Sequence, residues 1–222
     1  MPDPIAQPSA AGRLPSERGP RRFPWLWVLL ALGLPLSFLI DGPVLRALHP
    51  VLGTPFAHIL EHTVRWLGNG KLQIPALAAL LLAGLLARSR PMVRAGCWAF
   101  VSLTLAAGVL CQILKVLIGR ARPWVTGPPP VDWVGRLHGP HAHDFQAFPS
   151  GDATATFAIA VMVGYFLPKT RLPLLIAGVL VAMERVILAA HHPSDVWAGA
   201  MLGLFVSQAL IGMHRRRTAK QG

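Results

Sequence analysis

The sequence predicts an all-α, polytopic membrane protein with six transmembrane helices in one bundle, and three observations predict it. The 222 residues are 53% hydrophobic and only 14% charged, whereas a soluble domain carries about 25% charged residues. The apolar residues fall in long runs, and a hydrocarbon core of about 30 Å takes roughly 20 helical residues to cross. The 21 Lys and Arg residues are also clustered. Many lie in four places: Arg13, Arg18, Arg21 and Arg22; Arg88, Arg90 and Arg94; Lys169 and Arg171; and Arg215, Arg216, Arg217 and Lys220. These are alternate loops of a six-span chain, so the positive-inside bias puts them, and both termini, in the cytoplasm. The net charge of +12 therefore reads as topology and not as nucleic-acid binding. The same balance excludes a secreted mini-protein, a disordered tail and a soluble nucleic-acid-binding module.

Residues 1–22, rich in Pro, Gly and Arg, read as a flexible cytoplasmic tail, 23–213 as the six-span domain, and 214–222 as a basic cytoplasmic tail. Span one covers 23–40, with Trp25 and Trp27 as interfacial anchors, and Asp41-Gly42-Pro43 ends it. Residues 55–67 are amphipathic: Phe56, Ile59, Leu60 and Leu67 oppose His58, Glu61, His62 and Arg65, which suits a helix lying on the outer interface. Span two is 74–87 and span three 95–118. A loop dense in Pro and Gly follows over 119–148. Spans four, five and six cover 152–167, 172–190 and 196–213. The first apolar run is long and lacks a small-residue cleavage site, so it does not read as a cleaved signal. Cys97 and Cys111 read as small core residues, without a disulfide or metal role.

The polar residues that break this pattern gather on the outer side. Lys115 lies inside the apolar run 111–118, where charge is expensive and usually functional, although a Lys near a helix end also snorkels to water. Arg122 follows seven residues later, two helical turns, so the pair projects from nearly one face roughly 10 Å apart. Pro123 opens the helix there. Two such cations form a clamp for an anionic head group, and the Arg fork suits phosphate. Ser150 is a natural N-cap for the helix entering Asp152, and Gly151 lets a ligand approach the backbone. That start is either an ordinary cap or an anion site. Arg185 lies near the outer end of span five, and His191 and Asp195 flank the break at Pro193-Ser194. A carboxylate beside an imidazole orients the ring, as a nucleophilic or acid–base His requires. The coincidence of three clusters points to an active site at the outer membrane face.

These residues resemble the type 2 phosphatidic acid phosphatase superfamily, integral-membrane lipid phosphatases related in fold to the vanadium haloperoxidases. The family signatures are Lys, six residues, Arg-Pro; then Pro-Ser-Gly-His; then Ser-Arg, five residues, His, three residues, Asp. Here stand Lys115 with Arg122-Pro123, then Pro149-Ser150-Gly151-Asp152, then Glu184-Arg185 with His191 and Asp195. The resemblance implies His191 as nucleophile, forming a phosphohistidine that water hydrolyses, with Asp195 orienting it. Lys115, Arg122, Arg185, Ser150 and Gly151 would bind the substrate phosphate, where positioning and charge neutralisation do most of the work. No metal or other cofactor is implied; His138, His141, His143 and Asp144 read as a hydrated loop. Glu184 replaces the usual Ser. Asp152 replaces the His that acts as general acid in the family. An ionised Asp152 would repel a phosphate, unless the incoming dianion raises its pKa or the leaving group needs little help. Some lipid A phosphatases of the superfamily resemble this chain in carrying an acidic residue there. The expected substrates are thus phosphatidic acid, a polyprenyl diphosphate or lipid A, met in a bacterial-type inner membrane. Phosphotransfer between lipids and a non-catalytic lipid-phosphate binder or transporter are the alternatives. The sequence leaves the oligomeric state open.

Overall fold

Apolar runs without strand-like alternation yield helices, and every regular element among the described residues is helical. The structure is a computed structural model and describes residues 24–125 and 142–220. The tail expected over 1–22 lies outside them, as does the middle of the 119–148 loop. Helix α1 is Pro24–Leu48. It runs straight through Asp41-Gly42-Pro43, the expected stop. A helical proline costs one backbone hydrogen bond and a kink, and here Asp41 is buried and tied to another helix, which holds the next turn in place.

The amphipathic stretch forms α2 (Pro55–Thr63) and α3 (Arg65–Gly68). Thr54 caps α2, its Oγ1 accepting from the Ala57 amide, and Pro55 follows at the first helical position. Asn69 caps α4 (Gly70–Leu86) by accepting from the Lys71 amide at 2.9 Å. The α2–α3 pair and α4 meet at a bend of 46°. Helix α5 (Arg90–Leu103), a π-helical stretch over Thr104–Leu110 and α6 (Cys111–Ile118) form one continuous rod. It starts five residues before the expected span three. Helix α7 is Gly151–Phe166, α8 Arg171–Ile187 and α9 Pro193–Thr218.

Ala31–Val51, Arg90–Ile118 and Pro193–Thr218 are long and apolar enough to cross a membrane, and the bent pair makes a fourth if counted as one span. Helices α7 and α8, of 16 and 17 residues, fall short of the roughly 20 that a full crossing takes. Large apolar side chains point outward, among them Leu39, Leu82, Leu86, Ile176 and Phe205. Soluble monomers rarely expose apolar surface of this extent. Ala95, Gly96 and Ala99 take the buried face of α5, which leaves Cys97 exposed; only Cys111 is the core residue the sequence predicts.

The packing interior is made of small residues, concentrated on α7. Helix α9 lies against α7 through Gly199 and Gly203. A Cβ at these positions would sit 2.4 Å from the Ser150 and Thr154 carbonyl oxygens respectively. Four-residue spacing of small side chains is how membrane helices bring backbones together. Ser207 continues the row, with Oγ 3.1 Å from the Ala158 carbonyl and 2.9 Å from Ser102 Oγ. At its far end α9 runs to Thr218, through part of the expected tail. Arg215, Arg216 and Arg217 complement the negative end of the helix dipole there. His214 packs edge-on against Trp98 and Phe166, each at 5.3 Å.

Candidate active site

Three chain segments carry the site, and each is shaped by local chemistry. The first follows α6. Gly119, at φ 61°, takes the left-handed conformation that glycine tolerates best and turns the chain off the helix. Residues 120–122 then pair with 144–147: the Arg122 amide donates to Asp144 O at 2.8 Å and the Ala147 amide to Arg120 O at 3.0 Å. The second segment is the start of α7, where Ser150 caps the helix and its own amide donates to Asp195 O at 2.9 Å. The third is the turn from α8 to α9, where the Ala190 and His191 amides both donate to Arg185 O.

A cavity of about 800 Å³ opens between these segments. Lys115, Arg122, Gly151, Asp152, Arg185 and His191 line it together with Trp124 and His143. Its second wall is polar, made by His58, Glu61, Arg65 and Asn69 from the α2–α3 region. Its third is apolar, made by Ile74, Phe100, Leu103 and Ala107. Ser150 and Asp195 do not line it. Both are fully buried just behind it.

His191 is 3% exposed. Its Nδ1 is buried without a hydrogen-bond partner, 3.7 Å from Asp195 Oδ2. Burial pushes the His191 pKa down to about 4; Arg122 and Lys115 add to the fall and Asp195 opposes it. The neutral imidazole therefore dominates above about pH 4, and its lone pair is lost only as pH falls through that value. Asp195 is engaged elsewhere. Oδ1 accepts from Arg120 at 2.6 Å, and Oδ2 lies 2.8 Å from the His192 amide and 3.0 Å from His192 Nδ1. Arg120 extends the network by donating to Asp41 at 2.7 Å, and Asp41 also accepts from the Ser194 amide and hydroxyl.

The cations divide into two kinds. Arg185 is paired with buried Glu184 on one side and with Asp152, at 3.2 Å, on the other. Lys115 and Arg122, 8% and 7% exposed, have no carboxylate in ion-pair contact among the described residues. Arg122 is held instead by carbonyls: Nη1 donates to Ala190 O and Nε to His143 O, both at 3.1 Å. Two buried cations without an ion-pair contact among the described residues, beside a neutral histidine, are suited to receive an anion and attack it.

Of the residues the sequence singled out, all eight converge here, although Lys115 and Arg122 do so through the Gly119 turn and not along one helix face. Sequence reasoning gave Arg120, Asp41 and His143 no part in the site and missed the buried pairing of Glu184. A carboxylate inside an apolar run was the available signal for Asp41; Arg120 stood within the first motif. His138 and His141 lie outside the described residues.

A helical, outward-apolar bundle with this pocket has the make-up of a membrane-embedded site for an anionic lipid. Residues 95–219 match the PAP2 superfamily, and the chain belongs to it. It is 32% identical over 188 residues to decaprenylphosphoryl-5-phosphoribose phosphatase of Mycobacterium tuberculosis, covering 83% of this chain and 90% of that one. It is also 32% identical over 115 residues to lipid A 1-phosphatase of Rhizobium johnstonii, a match to 46% of this chain and 41% of the relative's length. The fold resembles the PAP2-type phosphatidylglycerolphosphate phosphatase of Bacillus subtilis, with a TM-score of 0.65 at 19% identity over 85% of this chain and 96% of that one. It also resembles Aquifex aeolicus LpxE, with a TM-score of 0.58 at 21% identity over 78% and 95%.

Proposed function

We propose that the chain is a metal-independent lipid phosphatase that hydrolyses a phosphomonoester or diphosphate lipid through a phosphohistidine at His191. The observation that carries this reading is the buried, neutral His191 facing a cavity with two cations that make no ion-pair contact among the described residues. Lys115 and Arg122 take the equatorial phosphate oxygens, with the Gly151 amide at the positive end of α7 assisting. With Nδ1 turned into the protein toward Asp195, Nε2 attacks phosphorus and the bond to the leaving oxygen breaks. Water then attacks phosphorus, the N–P bond breaks, and its electron pair returns to Nε2. Arg185 is held by Glu184 and Asp152 until the substrate competes for it.

The walls support a lipid whose head group carries hydroxyls. The apolar side takes a chain from the bilayer, and His58, Glu61, Arg65 and Asn69 face the polar part. One relative is named for a lipid-linked ribose phosphate, decaprenylphosphoryl-5-phosphoribose, and another for lipid A. The test is phosphate release by the purified protein in detergent, with EDTA present, from phosphatidic acid, a polyprenyl diphosphate, a polyprenyl-phosphate-linked sugar phosphate and lipid A. Release from at least one is expected and should be indifferent to EDTA. Saturable binding of these lipids without release would replace the enzyme by a lipid-phosphate binder.

The same reading sets the topology: six crossings, with α7 and α8 as short central ones, both termini cytoplasmic, and the cavity at the outer face. In a Cys97→Ser, Cys111→Ala background, Lys71→Cys should react with an impermeant maleimide in intact spheroplasts. Lys220→Cys should react only after lysis. The reverse pattern would move the active site to the cytoplasmic leaflet.

A further inference from the structure

We propose that His143 is the general acid of this site, giving its Nε2 proton to the leaving oxygen, and that Asp152 does not fill that role. This rests on the phosphohistidine reading above. Expelling an alkoxide from phosphorus needs a proton in the transition state, and a group that gives it must lie across the phosphate from the nucleophile. Arg122 fixes where the phosphate sits. Its guanidinium touches Ala190 O, next to His191, through Nη1, and His143 Nε2, at 3.0 Å, through Nη2. A phosphate held by that fork would sit between the turn that carries His191 and the His143 ring, the two sides from which an in-line displacement draws its nucleophile and its acid.

His143 is also held as a catalytic ring must be. Arg122 Nε donates to its carbonyl oxygen, and the imidazole stacks on Trp124 with centroids 6.3 Å apart and planes 20° from parallel. Arg122 itself lies over the same indole at 4.9 Å. Since a guanidinium only donates, Nε2 carries its lone pair in the ligand-free site. His143 is exposed at the cavity, where partial desolvation, Arg122 and Lys115 hold its pKa below the usual value, against Asp144 and Asp152. A phosphate dianion that takes over the Nη2 donor reverses this: it frees Nε2 and sets two negative charges beside it, which favours protonation. The step then balances. The N–P bond to His191 forms, the P–O bond breaks, and the oxygen leaves with the proton of His143, which cavity water restores.

The other candidates on the cavity lack these contacts. Asp152 is committed to Arg185, its Oδ2 lying 3.2 Å from Nη1. His192 is hydrogen-bonded to Asp195 and does not line the cavity. His58 lines the cavity from α2, with no contact to Arg122 or Trp124.

The test compares His143→Gln with Asp152→Asn on dioleoyl phosphatidic acid, whose alkoxide leaves poorly, and on p-nitrophenyl phosphate, whose phenolate leaves unaided. Gln keeps an acceptor for Arg122 while removing the transferable proton. His143→Gln should lower kcat about 10²–10⁴-fold on phosphatidic acid and less than about tenfold on the aryl ester. Asp152→Asn should change both substrates by the same factor. A His143→Gln variant at parental rate on phosphatidic acid, or a leaving-group-dependent loss in Asp152→Asn, overturns the proposal. A uniform loss in His143→Gln on both substrates does so too, since it would mark a merely structural role. Failure of the underlying reading looks different: the parental protein itself would release phosphate from neither ester.

Discussion

His191→Ala should reduce phosphate release by at least about 10⁴-fold, since on the proposed mechanism it removes the covalent nucleophile and leaves only binding and electrostatic stabilisation. The variant should fold as the parent does. The His191 ring makes no hydrogen bond through Nδ1, and the turn that carries it is held by backbone amides donating to Arg185 O. Rapid quench of the parental protein with radiolabelled substrate should trap an acid-labile, alkali-stable phosphoprotein, and His191→Ala should trap none. A folded His191→Ala variant that still turns over at the parental rate would remove His191 from the chemistry.

Gly199→Val should be nearly as damaging from a position outside the cavity lining. Its Cβ would meet Ser150 O at 2.4 Å and Thr154 Oγ1 at 3.1 Å. Neither can yield cheaply, because Ser150 is the N-cap of α7 and its carbonyl already accepts from the Thr154 amide and hydroxyl. Overpacking of a tight interior costs roughly 1–3 kcal/mol, and more against backbone. Separation of α9 from α7 would also break the Ser150 amide bond to Asp195 O, parting the turn at the start of α7 from the segment that carries His191. The expected result is a lower melting temperature in detergent with activity down more than about 100-fold, both measured on one preparation. Parental values for both would mean that the two helices are not pressed together at Ser150.

The parts of this molecule legible in sequence are those set by local signals. Ser150 before an apolar run announces α7 because capping is decided within a turn. Pro193 and Ser194, read as a break ahead of a span starting at 196, instead form the first turn of α9, a position proline suits. The three motifs were likewise enough to gather the eight residues at one place. What stayed hidden depends on partners far along the chain. Asp41 accepts from Arg120, 79 residues away, and from Ser194, 153 residues away. Nothing near Pro43 tells whether α1 stops there or is held beyond it. Glu184 looked like a minor exchange for Ser, yet it is fully buried and its charge is met by its neighbour Arg185. The Gly119 turn escaped for a related reason: helical spacing put Lys115 and Arg122 on one face, whereas a single left-handed residue sends Arg122 across the loop to Ala190.

The Asp41 link also bears on what can be inherited separately. The region matched by the family begins at residue 95, so α1 lies wholly outside it. Yet one α1 carboxylate holds both Arg120 and the Ser194 amide at the head of α9. The matched region is therefore not a self-sufficient cassette. Grafted behind a foreign first helix, it would leave Arg120 with Asp195 as its one remaining carboxylate, and a buried amide without its acceptor. Among chimaeras of related chains, the compatible first helices would be those that bring an acidic side chain to that depth, whatever the rest of their surface toward the lipid.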